Sequence, residues 1–324
     1  NPIDLRIGSV CLLEGENLEV VLEINDQSLL PPQGTWNATV FDQGNEELIL
    51  QKQVEITSPE SVISIPASRL PVGSYVLRME HSGGEKFSRK FMKIRMPEER
   101  LEDIREVTLK DCSLYVNGKP FVPRKLYHSW GTALVKSQGF NSVDCWGNDT
   151  LEGVENMLDE AHSNNLYGYG ILSHPYFYKG PGQGFDKKAL AEGIQKLKNH
   201  PALLLWELYD EPDAGIPVDV LLEAYRLIKQ LDPHHPVLVN LCFPEKYREY
   251  QVTADIISMD CYPVPNSPLS FVSDYMDKLK TATQSNKPLQ AVLQAYGDIK
   301  GRLPTPQELK CMTYLAINHG ARSL

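Results

Sequence analysis

The pattern of apolar and polar positions changes rhythm near residue 97. Before it, short runs alternate with period two at 18–24, 35–41, 48–56 and 62–65. A final pair at 74–79 and 87–94 is joined by a turn around His81-Ser82-Gly83-Gly84-Glu85. Short strands at this spacing, separated by turn residues, predict an immunoglobulin-like β-sandwich over residues 1–97. It carries no cluster of carboxylate, His or Cys, which fits a supporting or binding module. Met96-Pro97-Glu98-Glu99-Arg100 reads as a linker.

Beyond the linker, Ser113-Leu114-Tyr115-Val116, Asn117-Gly118 and Lys119-Pro120-Phe121-Val122 spell a hairpin with a two-residue turn, leading into Lys125-Leu126-Tyr127-His128. From there strand and helix patterns alternate. Strands are expected at 141–144, 166–172, 203–211, 236–241, 256–260, 289–294 and 321–324, although glycines interrupt the second of them. Helices are expected on the face of Leu151, Val154, Leu158 and Ala161, over 186–198, 220–231 and 271–281, and on the face of Leu309, Met312 and Ala316. Repeated β/α units predict a TIM (β/α)8 barrel over residues 98–324, truncated in its eighth unit. An open doubly wound sheet fits less well, because no Gly-rich phosphate loop follows the first strand.

Composition narrows the chemistry. The 324 residues hold 32 basic and 42 acidic side chains, a net charge of −10. That balance disfavours a nucleic-acid partner or an anionic membrane surface. No run approaches the roughly 18 apolar residues of a membrane helix, so no membrane insertion is expected. The six cysteines are scattered without a CxxC pair and are expected to be buried free thiols. No spacing of His, Cys, Asp or Glu suits a metal site, no Gly-x-Ser-x-Gly elbow is present, and no cofactor is expected. Asn1-Pro2-Ile3-Asp4 has no signal-peptide pattern, as in a mature secreted chain, and an extracytoplasmic or secreted location is the expectation.

One stretch dominates the candidate chemistry, Leu203-Leu204-Leu205-Trp206-Glu207-Leu208-Tyr209-Asp210-Glu211-Pro212-Asp213. It starts as a strand buried on both faces and ends in two acids and a proline that stops the ladder. In a barrel, such strand ends form the reactive rim. The other ends supply His128, Asp144 and Trp146, then His174 and Tyr176, Asn240, Tyr262, Gln294 and Tyr296. Acids, amides and flat rings together suit a carbohydrate substrate, because rings stack on sugar C–H faces while amides and acids bind hydroxyls. Glycosidic cleavage needs a proton for the leaving oxygen and a second carboxylate. Glu211 is the candidate acid, with Asp210 beside it raising its pKa. Strand alternation sets Asp210 and Glu211 on opposite faces, so the second carboxylate is expected to be Asp260, ahead of Asp144.

At these residues the chain resembles the glycoside hydrolases with a β/α catalytic barrel. It is most similar to the family 2 layout of a sandwich followed by a barrel, over nearly its whole length. Leu114 to Phe121 resembles the hairpin that leads into that barrel, and Gly139-Phe140-Asn141-Ser142-Val143 its second strand. Asn199-His200-Pro201, Trp206 and Asp210-Glu211-Pro212 resemble its fourth. The resemblance implies a glycosidase with Glu211 as acid/base. Asp210 stands where the group usually has Asn. Lys287-Pro288-Leu289-Gln290-Ala291-Val292-Leu293-Gln294-Ala295-Tyr296-Gly297 puts Gln294 where its nucleophilic glutamate falls. An amide cannot form the glycosyl ester of a retaining mechanism. The sequence therefore leaves three readings: an active glycosidase using Glu211 and Asp260, a catalytically inactive glycan-binding barrel, and a non-catalytic interaction protein.

Overall fold

The computed structural model describes residues 3–7, 11–13, 17–24, 34–44, 46–56, 60–68, 70–81, 84, 86–94, 101–127, 131–144, 150–172, 176–177, 184–297 and 301–324. The chain divides into two compact units, Asn1–Glu98 and Glu99–Leu324.

The first unit holds β1 (Ile3–Ile7), β2 (Cys11–Leu13), β3 (Leu18–Ile24), β4 (Gly34–Asp42), β5 (Leu48–Ile56), β6 (Glu60–Ile65), β7 (Gly73–His81) and β8 (Lys86–Ile94). They form two sheets, ordered β1-β3-β6 and β2-β8-β7-β4-β5. The period-two pattern puts alternate residues inward. Leu18 and Val20 on β3, Ile63 and Ile65 on β6, Trp36 and Val40 on β4, and Leu77 and Met79 on β7 all enter one apolar core shared by the two sheets. The short strands β1 and β2 carry too few residues to show a period in the sequence.

The second unit opens with β9 (Val107–Lys110), β10 (Ser113–Val116) and β11 (Lys119–Phe121), an antiparallel three-stranded sheet. Asn117 and Gly118 join β10 to β11 with φ of 49° and 75°, the left-handed pair a two-residue hairpin turn demands. Eight parallel strands then follow in chain order, β12 (Lys125–Leu126), β13 (Ser142–Asp144), β14 (Tyr167–Ile171), β15 (Leu203–Asp210), β16 (Val237–Leu241), β17 (Ile256–Cys261), β18 (Leu289–Leu293) and β19 (Ala321–Ser323). The Lys125 N–H donates to the Leu324 carbonyl at 2.7 Å and the Leu324 N–H to the Pro123 carbonyl at 3.1 Å, bringing the eighth strand back to the first. The sheet is a nearly closed TIM-like barrel.

Between the strands lie α1 (Thr132–Ser137), α2 (Leu151–Ser163), α3 (Lys187–Leu197), α4 (Val218–Leu231), α5 (Tyr247–Tyr250), α6 (Phe271–Ala282) and α7 (Pro306–Asn318). Thr150 and Asp186 cap α2 and α3 with side-chain oxygens, and Thr305 with Glu308 forms a capping box on α7. The buried faces of α2, α3, α4, α6 and α7 pack on outward strand residues such as Trp206, Leu208, Val239 and Met259. Val107, Leu114 and Val116 of the small sheet pack with Tyr169, Leu205 and Leu238 near the strand starts, so it plugs the N-terminal mouth of the barrel. The other mouth is left for chemistry.

The glycines of β14 have a packing cause. A Cβ on Gly170 would lie 2.8 Å from the Trp206 ring and 2.9 Å from Leu203 Cδ1; the bare backbone lets the neighbouring strand approach. Cys112 and Cys242 are half-buried, Cys261 is buried and Cys311 is exposed, all as free thiols. The expectation of burial thus fails at Cys311, which sits on the solvent side of α7. Among the described residues no helix is long and apolar enough to cross a membrane.

Candidate active site

Asp210, Glu211, Asp260, Tyr262 and Tyr296 at the C-terminal mouth line part of a cavity of about 760 Å³ that also runs past Lys125 and Tyr127 to Phe140 and to Leu309 and Thr313 of α7. Strict alternation would have separated Asp210 from Glu211, and it is broken here. The pairing of β15 with β16 shifts register between Glu207 and Tyr209, a bulge that re-aims the residues after it. Glu211 then takes a left-handed backbone, φ 51°, while its N–H still bonds the Asn240 carbonyl at 2.9 Å. Both acids consequently line the same cavity as Asp260, which corrects the opposite-face expectation.

Asn240 joins two of the acids. Its Nδ2 donates to Asp210 Oδ1 at 2.9 Å and to Asp260 Oδ1 at 2.5 Å. Asp260 also lies beside the Glu211 carboxyl and the Tyr262 hydroxyl. Burial first, then the neighbouring Asp210 and Glu211, push Asp260 well above the usual carboxylate range. Asp210 is raised too, by burial and the nearby Glu211, against its contacts with Asn240 and Tyr127. The sequence argument kept Glu211 protonated, with Asp210 as the cause; in the structure the carboxyls pushed upward are Asp260 and Asp210.

Below this layer sits a cluster that sequence reasoning missed. Lys125, with its side chain 2% exposed, bonds Glu207 Oε2 at 3.0 Å and lies 3.9 Å from Asp144 Oδ2. Its ammonium also rests on the rings of Tyr127 and Tyr169, at 3.8 and 4.5 Å from their centroids. The Tyr127 hydroxyl lies 2.5 Å from Glu207 Oε1 and 2.9 Å from Asp210 Oδ1, linking the cluster to the rim. Glu207 was the available signal: an acid inside an otherwise apolar, two-sided strand requires a buried partner.

The remaining candidates are placed as follows. Tyr262 and Tyr296 meet edge to face, centroids 5.2 Å apart, and are 40% and 48% exposed, an open platform of the kind sugars stack on. Asp144 is buried beside Lys125 and outside the cavity lining. Tyr176 is buried among Leu190 and Ile194 of α3, its hydroxyl over Gly193, and burial pushes its phenol up to about 12. Gln294 is buried with its amide committed to backbone. Its Oε1 accepts from the Val264 N–H at 2.9 Å, and its Nε2 donates to the carbonyls of Val264 at 2.9 Å and Tyr296 at 3.2 Å. His128, Trp146 and His174 lie outside the described residues. Among the described residues no group of three His, Cys, Asp or Glu is placed to hold a metal ion.

In this chain a parallel barrel with acids at its C-terminal mouth follows a β unit. No family model and no curated protein matches the chain, but solved structures do. It is similar to Bacteroides uniformis beta-glucuronidase 2, described as covalently bound to cyclophellitol-6-carboxylate aziridine, with a TM-score of 0.51, 10% identity, and coverage of 99% of this chain and 45% of that one. It is also similar to a GH2 beta-galacturonidase from Eisenbergiella tayi bound to galacturonate, with a TM-score of 0.50, 15% identity, and coverage of 99% and 63%. The chain spans less than two thirds of the length of either structure. At such identities the likeness establishes the fold.

Proposed function

We propose that the chain is a glycoside hydrolase acting on an oligo- or polysaccharide, with Glu211 as general acid and Asp260 as the second carboxyl. The observation that carries this reading is the adjacent Glu211 and Asp260 carboxyls on the barrel rim, beside the open Tyr262–Tyr296 platform. A proton passes from Asp260 to Glu211, which delivers it to the leaving glycosidic oxygen as the C–O bond breaks, while water adds to the anomeric carbon and gives its own proton back to Asp260. One proton leaves and one is regained, so the pair is reset each turnover. Tyr262 and Tyr296 supply stacking surface. A β-sandwich reading of the first unit gives it a supporting role.

A second reading, glycan binding without hydrolysis, is favoured by the spacing of the pair and by Gln294. Retaining and inverting glycosidases hold their acids about 5–5.5 Å and about 6.5–9.5 Å apart. Here Glu211 and Asp260 lie side by side, and a sugar has to enter between them before either geometry exists. Gln294, where the resemblance places a nucleophile, offers no carboxylate.

The test is release of sugar from natural oligosaccharides and polysaccharides, neutral and uronate-bearing, by the intact protein and by Glu211→Gln. Natural leaving groups depend on acid help, so release should fall by roughly 10²-fold or more in the variant. No release by the intact protein, alongside glycan binding by calorimetry, selects the second reading.

A further inference from the structure

Tyr127 has one hydroxyl proton and touches two carboxyl oxygens, Glu207 Oε1 at 2.5 Å and Asp210 Oδ1 at 2.9 Å. A phenol donates once. If both carboxyls were ionised, one contact would set oxygen lone pairs against each other in a buried site. One of the two must bring a second proton. Lys125 decides which. Its ammonium forms an ion pair with Glu207 Oε2 at 3.0 Å, both side chains being buried. Glu207 therefore accepts the phenol proton, and the shorter of the two contacts is the one with the ionised acceptor, as charge-assisted O–H···O⁻ bonds require. The hydroxyl oxygen of Tyr127 is then left as an acceptor facing Asp210.

We infer that Asp210 is a neutral carboxylic acid in the resting site, and that Tyr127, held by the Lys125–Glu207 ion pair, is the positioning residue that receives its proton. The Asn240 contact is compatible, because a carboxyl oxygen that donates to Tyr127 still accepts from Asn240 Nδ2 at 2.9 Å. Among the described residues, the titratable groups around Asp210 are Lys125 and Tyr127 from the first strand region, Glu207, Tyr209 and Glu211 from the fourth, and Asp260 and Tyr262 from the sixth. Of these only Lys125 is a cation, and it is already shared between Glu207 and Asp144. A further anion at Asp210 would stand unbalanced beside the Glu211–Asp260 pair. Burial and Glu211 hold the Asp210 carboxyl above its ordinary range; a phenol donating to Asp210 acts against them, whereas a phenol accepting its proton acts with them.

A neutral Asp210 leaves the pair as the charged element of the upper layer, so the proton on Asp210 sets the proton affinity of the pair through space. That bearing on turnover rests on the hydrolase reading; the location of the proton does not. The experiment is a carbon-13 NMR titration of the aspartate carboxyls in wild type and Tyr127→Phe, with the Asp210 resonance assigned by its loss in Asp210→Asn. In wild type, Asp210 should titrate well above the ordinary value of 3.8 and stay protonated where surface aspartates have ionised. In Tyr127→Phe its midpoint should fall, because the proton has lost its acceptor. Titration of wild-type Asp210 together with the surface aspartates overturns the inference. So does a midpoint that rises in Tyr127→Phe, as it would if the phenol donated to an ionised Asp210. Glycan release is not read in this titration, so its result and that of the hydrolase test stand apart.

Discussion

The amide of Gln294 donates to two carbonyls and accepts from one N–H, clamping the segment after β17 to the end of β18. A carboxylate there keeps the acceptor and turns both donating contacts into oxygen–oxygen repulsions. Gln294→Glu should lower stability by roughly 1–3 kcal/mol, read as a lower urea midpoint at unchanged slope; an unchanged midpoint would show that the clamp holds nothing. The residue is thus built into the backbone of the rim, whatever its history. Lys125 acts deeper. Lys125→Met leaves Glu207 and Asp144 buried without their cation, a loss of about 3–5 kcal/mol by analogy with other broken buried pairs, and a folded variant with wild-type Tm would refute that accounting. Legibility at this scale was uneven. Asp210, Glu211, Asp260, Tyr262 and Tyr296 could be found because strand ends are readable as places. Lys125 and Tyr127 could not be joined to Glu207, since they lie 82 and 80 residues away in sequence and only barrel closure brings them together.

At the scale of the element, β15 is the part on which the site depends. Its apolar run was plain in the sequence, but the bulge between Glu207 and Tyr209 and the left-handed turn at Glu211 were not, because neither is signalled by glycine. The alternation rule failed where the backbone departs from a regular strand. A left-handed conformation costs an L-residue roughly 1–2 kcal/mol, and a strained functional residue is often retained at the expense of stability. Glu211→Gly relieves that strain and removes one carboxyl from a crowded cluster. Its Tm should hold or rise while glycan release is lost; a clear fall in Tm would mean that the Asp260 contact stabilises more than the turn costs. In β14 the sign is opposite. Gly170→Ala pushes a methyl against Trp206 and Leu203, and overpacking of this kind costs about 1–3 kcal/mol, measurable as a lower denaturation midpoint.

For the whole molecule, the buried acids set a pH window for stability. Asp210 and Asp260 have folded pKa values above their unfolded ones. Their contribution is full below the unfolded value and is lost as pH rises through the folded one. Asp232 works the other way. Burial opposes its charge, but hydrogen bonds and charge from His235, with the Trp206 indole N–H, outweigh it and hold the carboxyl at about 2. Its contribution is present above the ordinary aspartate range and is lost as pH falls toward that value. Tm should therefore peak on the mildly acid side and decline toward alkaline pH, with the decline flattened in Asp260→Asn. A Tm that climbs steadily through neutrality contradicts this. The overall architecture was legible for a related reason: two-sided apolar strands and one-sided helices repeat with a spacing that few folds use. The closure of the barrel by the backbone of Leu324 was not, since hydrogen bonds between distant backbones leave no mark on side-chain pattern.

The buried phenols of the barrel have an optical consequence. Tyr127, Tyr169 and Tyr247 are all held above the ordinary tyrosine range, by burial first and then by neighbouring acidic groups. The chain has 15 tyrosines in all, and others, such as Tyr314 at 56%, are open to solvent. After a jump to strong alkali, tyrosinate absorbance should rise in two phases, an immediate one from the surface and a slow one limited by opening of the barrel. The slow rate reads the unfolding barrier of the barrel directly, with no added probe.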